Sequence, residues 1–177
     1  YNTVTVFKRH LRNNLFLISS VYLVASTGVV TNNDFNKQSE VTLIDATLTD
    51  IISPYKLNDG FDDHPSPFIS GNHGHGATPT ASLLEYSVYV DGVKLNNGGS
   101  FDAKEVQINT VSEVYLYSGQ AQDPVLESVV FNELHNYTVV DGTISVNVGL
   151  EIKQDIEFIT MYGIQGTPFL SDIDSVY

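Results

Sequence analysis

Apolar and polar side chains alternate with a period of two over most of this chain, and no stretch sustains the 3.6-residue period of a helix. The clearest run is GTISVNVGLEIK, in which Ile144, Val146, Val148, Leu150 and Ile152 share one face while Ser145, Asn147, Gly149, Glu151 and Lys153 share the other. That pattern predicts a half-buried strand. HNYTVV precedes it across Asp141-Gly142, and LEYSVYV is joined to VKL across Asp91-Gly92. Asp-Gly between two apolar runs predicts a type I′ hairpin, because both central residues accept a positive φ.

Further strands are predicted at 3–7, 14–26 (one long bent strand or two short ones), 40–48, 105–110, 112–118, 123–131 and 155–164. Most are set apart by turn residues such as Thr31-Asn32-Asn33-Asp34, Asn96-Asn97-Gly98-Gly99 and Gly119-Gln120. DATLTDIISPYKL suits either one helical turn before Pro54 or a strand. The whole predicts an all-β protein: one antiparallel β-sandwich domain of jelly-roll or supersandwich type. Within it, residues 1–57 supply N-terminal strands or an adjoining assembly segment, 58–80 a polar Gly/His/Asp loop, and 81–177 the main meander.

Composition narrows the partners. The 177 residues are 42% hydrophobic, enough to fill a core without staples, and only 16% charged. A net charge of -13 leaves no basic stripe for a phosphate backbone or an anionic membrane, so neither nucleic acid nor membrane insertion is expected. Lys8, Arg9 and Arg12 form the one basic cluster, read as a solvated turn or an anchor for an acidic neighbour. Without cysteine, disulfides and thiol chemistry are excluded. The longest apolar stretch, 14–26, is short for a membrane span, and Ser19 and Ser20 interrupt it. Termini of Tyr1 and SDIDSVY suit a piece cut from a longer chain.

Chemistry concentrates in DDHPSPFISGNHGHGATPT, residues 62–80, which holds three of the five histidines. Three readings follow. His73 and His75, with Asp62 and Asp63, could hold a divalent metal; no other cofactor is implied. Alternatively His73, His135 and Tyr162 could act as acid and base in cleaving a uronic-acid glycan. Arginine, the usual neutraliser of the substrate carboxylate, is absent beyond residue 12, so Asn72 or Gln165 would take that part. The third reading is a loop shaped by glycine and proline that does no chemistry. Among ten tyrosines, Tyr86, Tyr89, Tyr115 and Tyr117 are candidates for stacking on sugar rings, with Tyr115 and Tyr117 on one face of VYLYS. The 21 acidic residues single out no glycosidase pair, and no nucleophile elbow, P-loop or dinucleotide fingerprint occurs. Asn136-Tyr137-Thr138 fits an N-glycosylation acceptor.

GNHGHGATPTASLLEYSVYVDGVKL, followed by HNYTVVDGTISVNVGLEI and EFITMYGIQG, resembles a segment of bacteriophage tail-fibre and host-adsorption proteins. The likeness spans roughly residues 70–166 and departs from that pattern at Ile164 and at the additional His75. It implies a carbohydrate-active-like β-sandwich acting at a bacterial surface glycan, extracellular or in the virion, with Asn72, His73, His135, Tyr162 and Gln165 at matching positions. The expectation is therefore a glycan-recognising module in a phage tail or cell-surface assembly. A polysaccharide lyase and a purely structural virion or surface-layer component are the alternatives. In each case assembly into a homo-oligomer or with other subunits is expected, since long strands with few charges leave edges poorly protected.

Overall fold

A computed structural model of the chain describes residues 2–10, 13–24, 41–45, 54–58, 68–71, 73–75, 78–98, 102–120 and 123–162. These are strands and turns without helix, in antiparallel sheets that pack on one another as a single β-sandwich-like domain. In chain order the strands are β1 (Asn2–Arg9), β2 (Phe16–Val24), β3 (Val41–Asp45), β4 (Tyr55–Leu57), β5 (Phe68–Ile69), β6 (Gly74–His75) and β7 (Thr78–Pro79). Then follow β8 (Ala81–Val90), β9 (Val93–Lys94), β10 (Glu105–Gln120), β11 (Asp123–Val140), β12 (Thr143–Ile152) and β13 (Phe158–Met161).

The largest sheet has the order β12-β11-β10-β8-β9. Both predicted hairpins are present in it, with Asp91 and Asp141 at φ 48° and Gly92 and Gly142 at 78° and 76°, the left-handed pair that a type I′ turn requires. Asp91 adds a cap, its Oδ1 accepting from the backbone N–H of Lys104 and of Glu105, each at 2.9 Å. The outer face of the sheet is polar, carrying Asn109, Glu113, Asn132, Asn136 and Asn147. Its inner face is covered in two places. Sheet β1-β2-β3 buries Ile18 and Val21 against Ile108 and Tyr137, with Phe7, Phe16, Val88, Ile144 and Val146 around them. Sheet β13-β4-β5 buries Tyr55, Leu57 and Ile69 against Val114, Tyr117, Val130 and Phe131. Edge-on contacts of Tyr55 with Phe131 and Phe158, at 5.2 and 5.7 Å between centroids, add about 0.5–1.5 kcal/mol each beyond area burial. This second core draws Leu15 from the N-terminal segment, Ile69 from the 58–80 segment and Phe131 from the meander, so all three segments meet in it.

Several expectations need correction. Runs 105–110 and 112–118 are one strand, as are 123–131 and 135–140. The predicted breaks arise because inward positions Thr110 and Ser112 on β10, and Glu133 and His135 on β11, are polar and interrupt the apolar alternation without interrupting the strand. Of the two alternatives for residues 14–26, the single strand is the one formed, over Phe16–Val24, and its Ser19 and Ser20 are buried. The segment 58–80 is not wholly without strands, since β5, β6 and β7 fall in it. Tyr115 and Tyr117 do not share a face. Irregular register on both sides of Tyr115 turns Tyr117 into the core while Tyr115 stays on the outer side, its hydroxyl donating to Glu113.

Candidate functional site

Between the two apolar cores lies a polar layer. Antiparallel register places Ile108 opposite Tyr137, Thr110 opposite His135, Ser112 opposite Glu133 and Val114 opposite Phe131. The inner face therefore reads apolar, polar, polar, apolar along both strands at the same heights. Glu133 is 1% exposed and His135 4%. A carboxyl so placed must find donors or stay protonated. Two hydroxyls from the covering sheet supply them: Tyr55 donates to Oε1 at 2.7 Å, and Ser70 donates to Oε2.

Ser70 is held by backbone geometry that few residues tolerate. Its φ is 75°, followed by Gly71 at 58°. Its N–H donates to the Thr80 hydroxyl oxygen at 2.9 Å, and its carbonyl accepts from the N–H of His73 at 3.0 Å. The Thr80 hydroxyl and N–H both donate to the His73 carbonyl, at 2.7 and 2.9 Å. From the β1–β2 turn, Asn13 donates through Nδ2 to the Gly71 carbonyl at 2.7 Å. A turn stitched this way keeps the Ser70 hydroxyl aimed at the carboxyl despite a backbone strain of the order of 1–3 kcal/mol.

Burial pushes the Glu133 carboxyl up to about 7, against the opposing pull of the Ser70 and Tyr55 hydroxyls. Desolvation pushes the His135 imidazole down to about 4. Near neutral pH the imidazole is thus uncharged, while the carboxyl is close to its midpoint. His135 Nε2 lies 3.5 Å from Glu133 Oε1 without hydrogen-bond geometry, and the imidazole stacks on Tyr137 at 5.7 Å and 20°. The Tyr137 hydroxyl has no hydrogen-bond partner among the described residues, and burial raises its pKa. This layer can store or release a proton inside the fold. Being closed to solvent, it offers no face to a dissolved polymer.

The residues singled out from the sequence are distributed unevenly. His73 and Tyr162 flank the Phe68 ring, with centroids 5.9 and 5.4 Å from it and planes inclined at 53° and 49°. Tyr162 is 42% exposed, and its N–H donates to the Pro54 carbonyl at 3.2 Å. His135 instead faces the interior beside Glu133, so the three residues expected to share one open cleft are split between the buried layer and an aromatic row in which Phe68 and His73 are half-buried and Tyr162 is exposed. Tyr86 lies elsewhere, against Phe16 at 4.9 Å, with the Arg9 guanidinium over both rings. Tyr89 is half-buried, opposite Gln107 and Lys94. Asn72, Gln165, Asp62 and Asp63 lie outside the described residues, as does the His75 side chain; the His75 backbone pairs with Thr78. Among the described residues no three His, Asp or Glu side chains gather as a metal would require.

Sequence reasoning passed over Tyr55, Ser70 and Glu133. Their signal was the coincident polar interruption of two neighbouring strands, visible only once Ser112 is set opposite Glu133. No family model, no curated protein and no solved structure matches this chain.

Proposed function

We propose that this protein is a glycan-recognising β-sandwich module of a phage tail or cell-surface assembly, and that it binds sugar along the row His73–Phe68–Tyr162. The observation that carries the reading is the Phe68 ring flanked by an imidazole and a solvent-exposed phenol at the end of sheet β13-β4-β5. Sugar rings present C–H faces that stack on such aromatic surfaces, and a phenol tip adds a hydrogen-bonding handle. The net charge of -13 repels acidic polysaccharides and so favours uncharged or amino sugars as ligands. The placement at a bacterial surface or in a virion is supported by the tail-fibre resemblance of residues 70–166. The lyase alternative gains nothing from a His135 that is 4% exposed.

Screening on immobilised neutral and acidic glycans, followed by calorimetry on the hits and product analysis, tests this. Retention of a neutral glycan without cleavage, weakened about tenfold in Tyr162→Ala, is the expected result. Absence of retention on every glycan, or equal affinity in Tyr162→Ala, would overturn it. New absorbance from unsaturated uronates would replace it with the lyase.

A further inference from the structure

The β12 edge of the largest sheet points to a partner. β12 is ten residues long and pairs with β11 without a register shift from Thr143 to Ile152. Among the described residues no strand covers its other side. The other edge of this sheet and the β1 edge of the neighbouring sheet are blunted in ways that β12 is not, and the β3, β5 and β13 edges are two to five residues long. β9 has two residues, one of them Lys94, and β1 carries Lys8 and Arg9 and a register shift at Val6/Phe7. β12 holds one charged residue, Glu151, which Lys153 neutralises at 2.7 Å. A long, regular strand edge with an apolar face is one that chains rarely leave without another strand to pair with it.

We propose that β12 pairs antiparallel with β12 of a second copy, about a two-fold axis at Val148, so that two sheets join into one. Two independent features select this occupant and register. The Val140–Thr143 pair closes a two-residue turn and exchanges both backbone bonds. The backbone groups of Thr143, Ser145, Asn147, Gly149 and Glu151 therefore point toward β11. Those of Ile144, Val146, Val148, Leu150 and Ile152 point outward. Centred on Val148, the sequence is an apolar palindrome: Ile144 meets Ile152 of the second copy, Val146 meets Leu150, and Val148 meets itself. The same register brings every outward donor opposite an acceptor.

Charges agree with the register. Glu151 comes opposite Ser145 and Lys153 opposite Thr143, so no like charges are juxtaposed within Thr143–Lys153; the first like pair in this register, Asp141 with Asp155, lies beyond the strand ends. On the inner face, Val148 and Ile152 are 39% and 48% exposed. A second sheet would continue that apolar floor. An isologous contact of this kind closes at two copies. This dimer does not depend on what the aromatic row binds.

Sedimentation or light scattering across concentration and salt tests it. The wild type is expected to dimerise, and more tightly as salt screens the -13 charge on each copy. Val148→Lys places a charge on the seam and should be monomeric with an unchanged circular dichroism spectrum. Since the chain lacks cysteine, Val148→Cys gives a single thiol. Its Cα would lie about 5.5 Å from its mate across the axis, within disulfide range. It should therefore oxidise to a covalent dimer, while Val93→Cys on the opposite edge should not. A wild type monomeric at every concentration and salt level, or a dimer that persists in Val148→Lys, would overturn the proposal.

Discussion

The imidazole of His135 approaches the carboxyl of Glu133 to 3.5 Å inside the fold, and burial moves their pKa values in opposite directions. Glu133, ordinarily 4.5, rises to about 7; His135, ordinarily 6.5, falls to about 4. The acid is thereby driven toward its neutral, protonated form and the base toward its neutral, unprotonated form. Between about pH 4 and 7 both groups are predominantly uncharged, and burial disfavours the ion pair whose desolvation the fold would have to offset.

Opposed displacements make opposed pH dependences. The folded state holds the Glu133 proton more tightly than the unfolded chain, so this contribution is complete below pH 4.5 and is lost as pH rises to about 7. For His135 the unfolded chain binds the proton more tightly, so its contribution is complete above 6.5 and is lost as pH falls to about 4. Each is of the order of 3 kcal/mol, and they cancel between about pH 4.5 and 6.5. Denaturant unfolding at a series of pH values should show the stability of Glu133→Gln, which keeps only the His135 contribution, rising from pH 4 to 6.5. His135→Asn should lose stability from 4.5 to 7. Identical slopes in both variants and the wild type would show that the pair is not coupled to folding in this way.

The donors to Glu133 carry their own signature. Tyr55→Phe keeps the ring contacts with Phe131 and Phe158 but removes one hydroxyl, and Ser70→Ala removes the other. Each is expected to cost about 1–3 kcal/mol and to move the pH midpoint of the Glu133 contribution upward, because both hydroxyls lower its pKa. Ser70→Gly loses the same hydroxyl yet relieves the φ of 75°, so it should be less damaging than Ser70→Ala. Equal losses for Ala and Gly would mean that the backbone there stores no strain.

The strands were legible in the sequence where one face was uniformly apolar, as in Ile144 to Ile152, and the turns where only Asp-Gly could supply two positive φ values. Boundaries failed where the inner face turned polar. Thr110 and Ser112, like Glu133 and His135, look like solvent-facing positions when each strand is read alone. Register alone reveals that they face one another across the interior. The Tyr115–Tyr117 pair misled for a related reason: irregular pairing inverts the facing of residues beyond it, and local alternation carries no trace of the partner strand. His73 and Tyr162 were picked out for chemistry, but Phe68, the ring between them, attracted no notice because apolar residues in a polar loop usually serve packing.

On β8, where Tyr86 pairs with Thr110, the Arg9 guanidinium lies 4.5 Å from the Tyr86 ring centre and 5.0 Å from that of Phe16, tying the β1–β2 sheet to β8. Such a stacked cation contributes about 0.5–1 kcal/mol at an exposed position. Arg9→Gln and Tyr86→Leu should each lower stability by about that much, and the double variant by less than their sum. Chemical denaturation of the four proteins checks it, and strict additivity would mean that guanidinium and phenol do not interact.

The two Asp-Gly turns make a matched comparison. Gly92 and Gly142 have nearly the same φ, 78° and 76°, so an alanine at either carries the same conformational penalty, about 1 kcal/mol. Their surroundings differ. A Cβ on Gly92 meets nothing within 4 Å, whereas one on Gly142 comes 3.0 Å from the Thr3 hydroxyl oxygen and 3.4 Å from its Cβ. Gly142→Ala must therefore also displace the Thr3 side chain by a few tenths of an ångström, and thermal unfolding should show it to be more destabilising than Gly92→Ala. Thr3→Ala removes the obstructing hydroxyl. In that background the Gly142→Ala cost should fall to the Gly92→Ala level; a cost unchanged by Thr3→Ala would mean that β1 does not rest on the hairpin in solution.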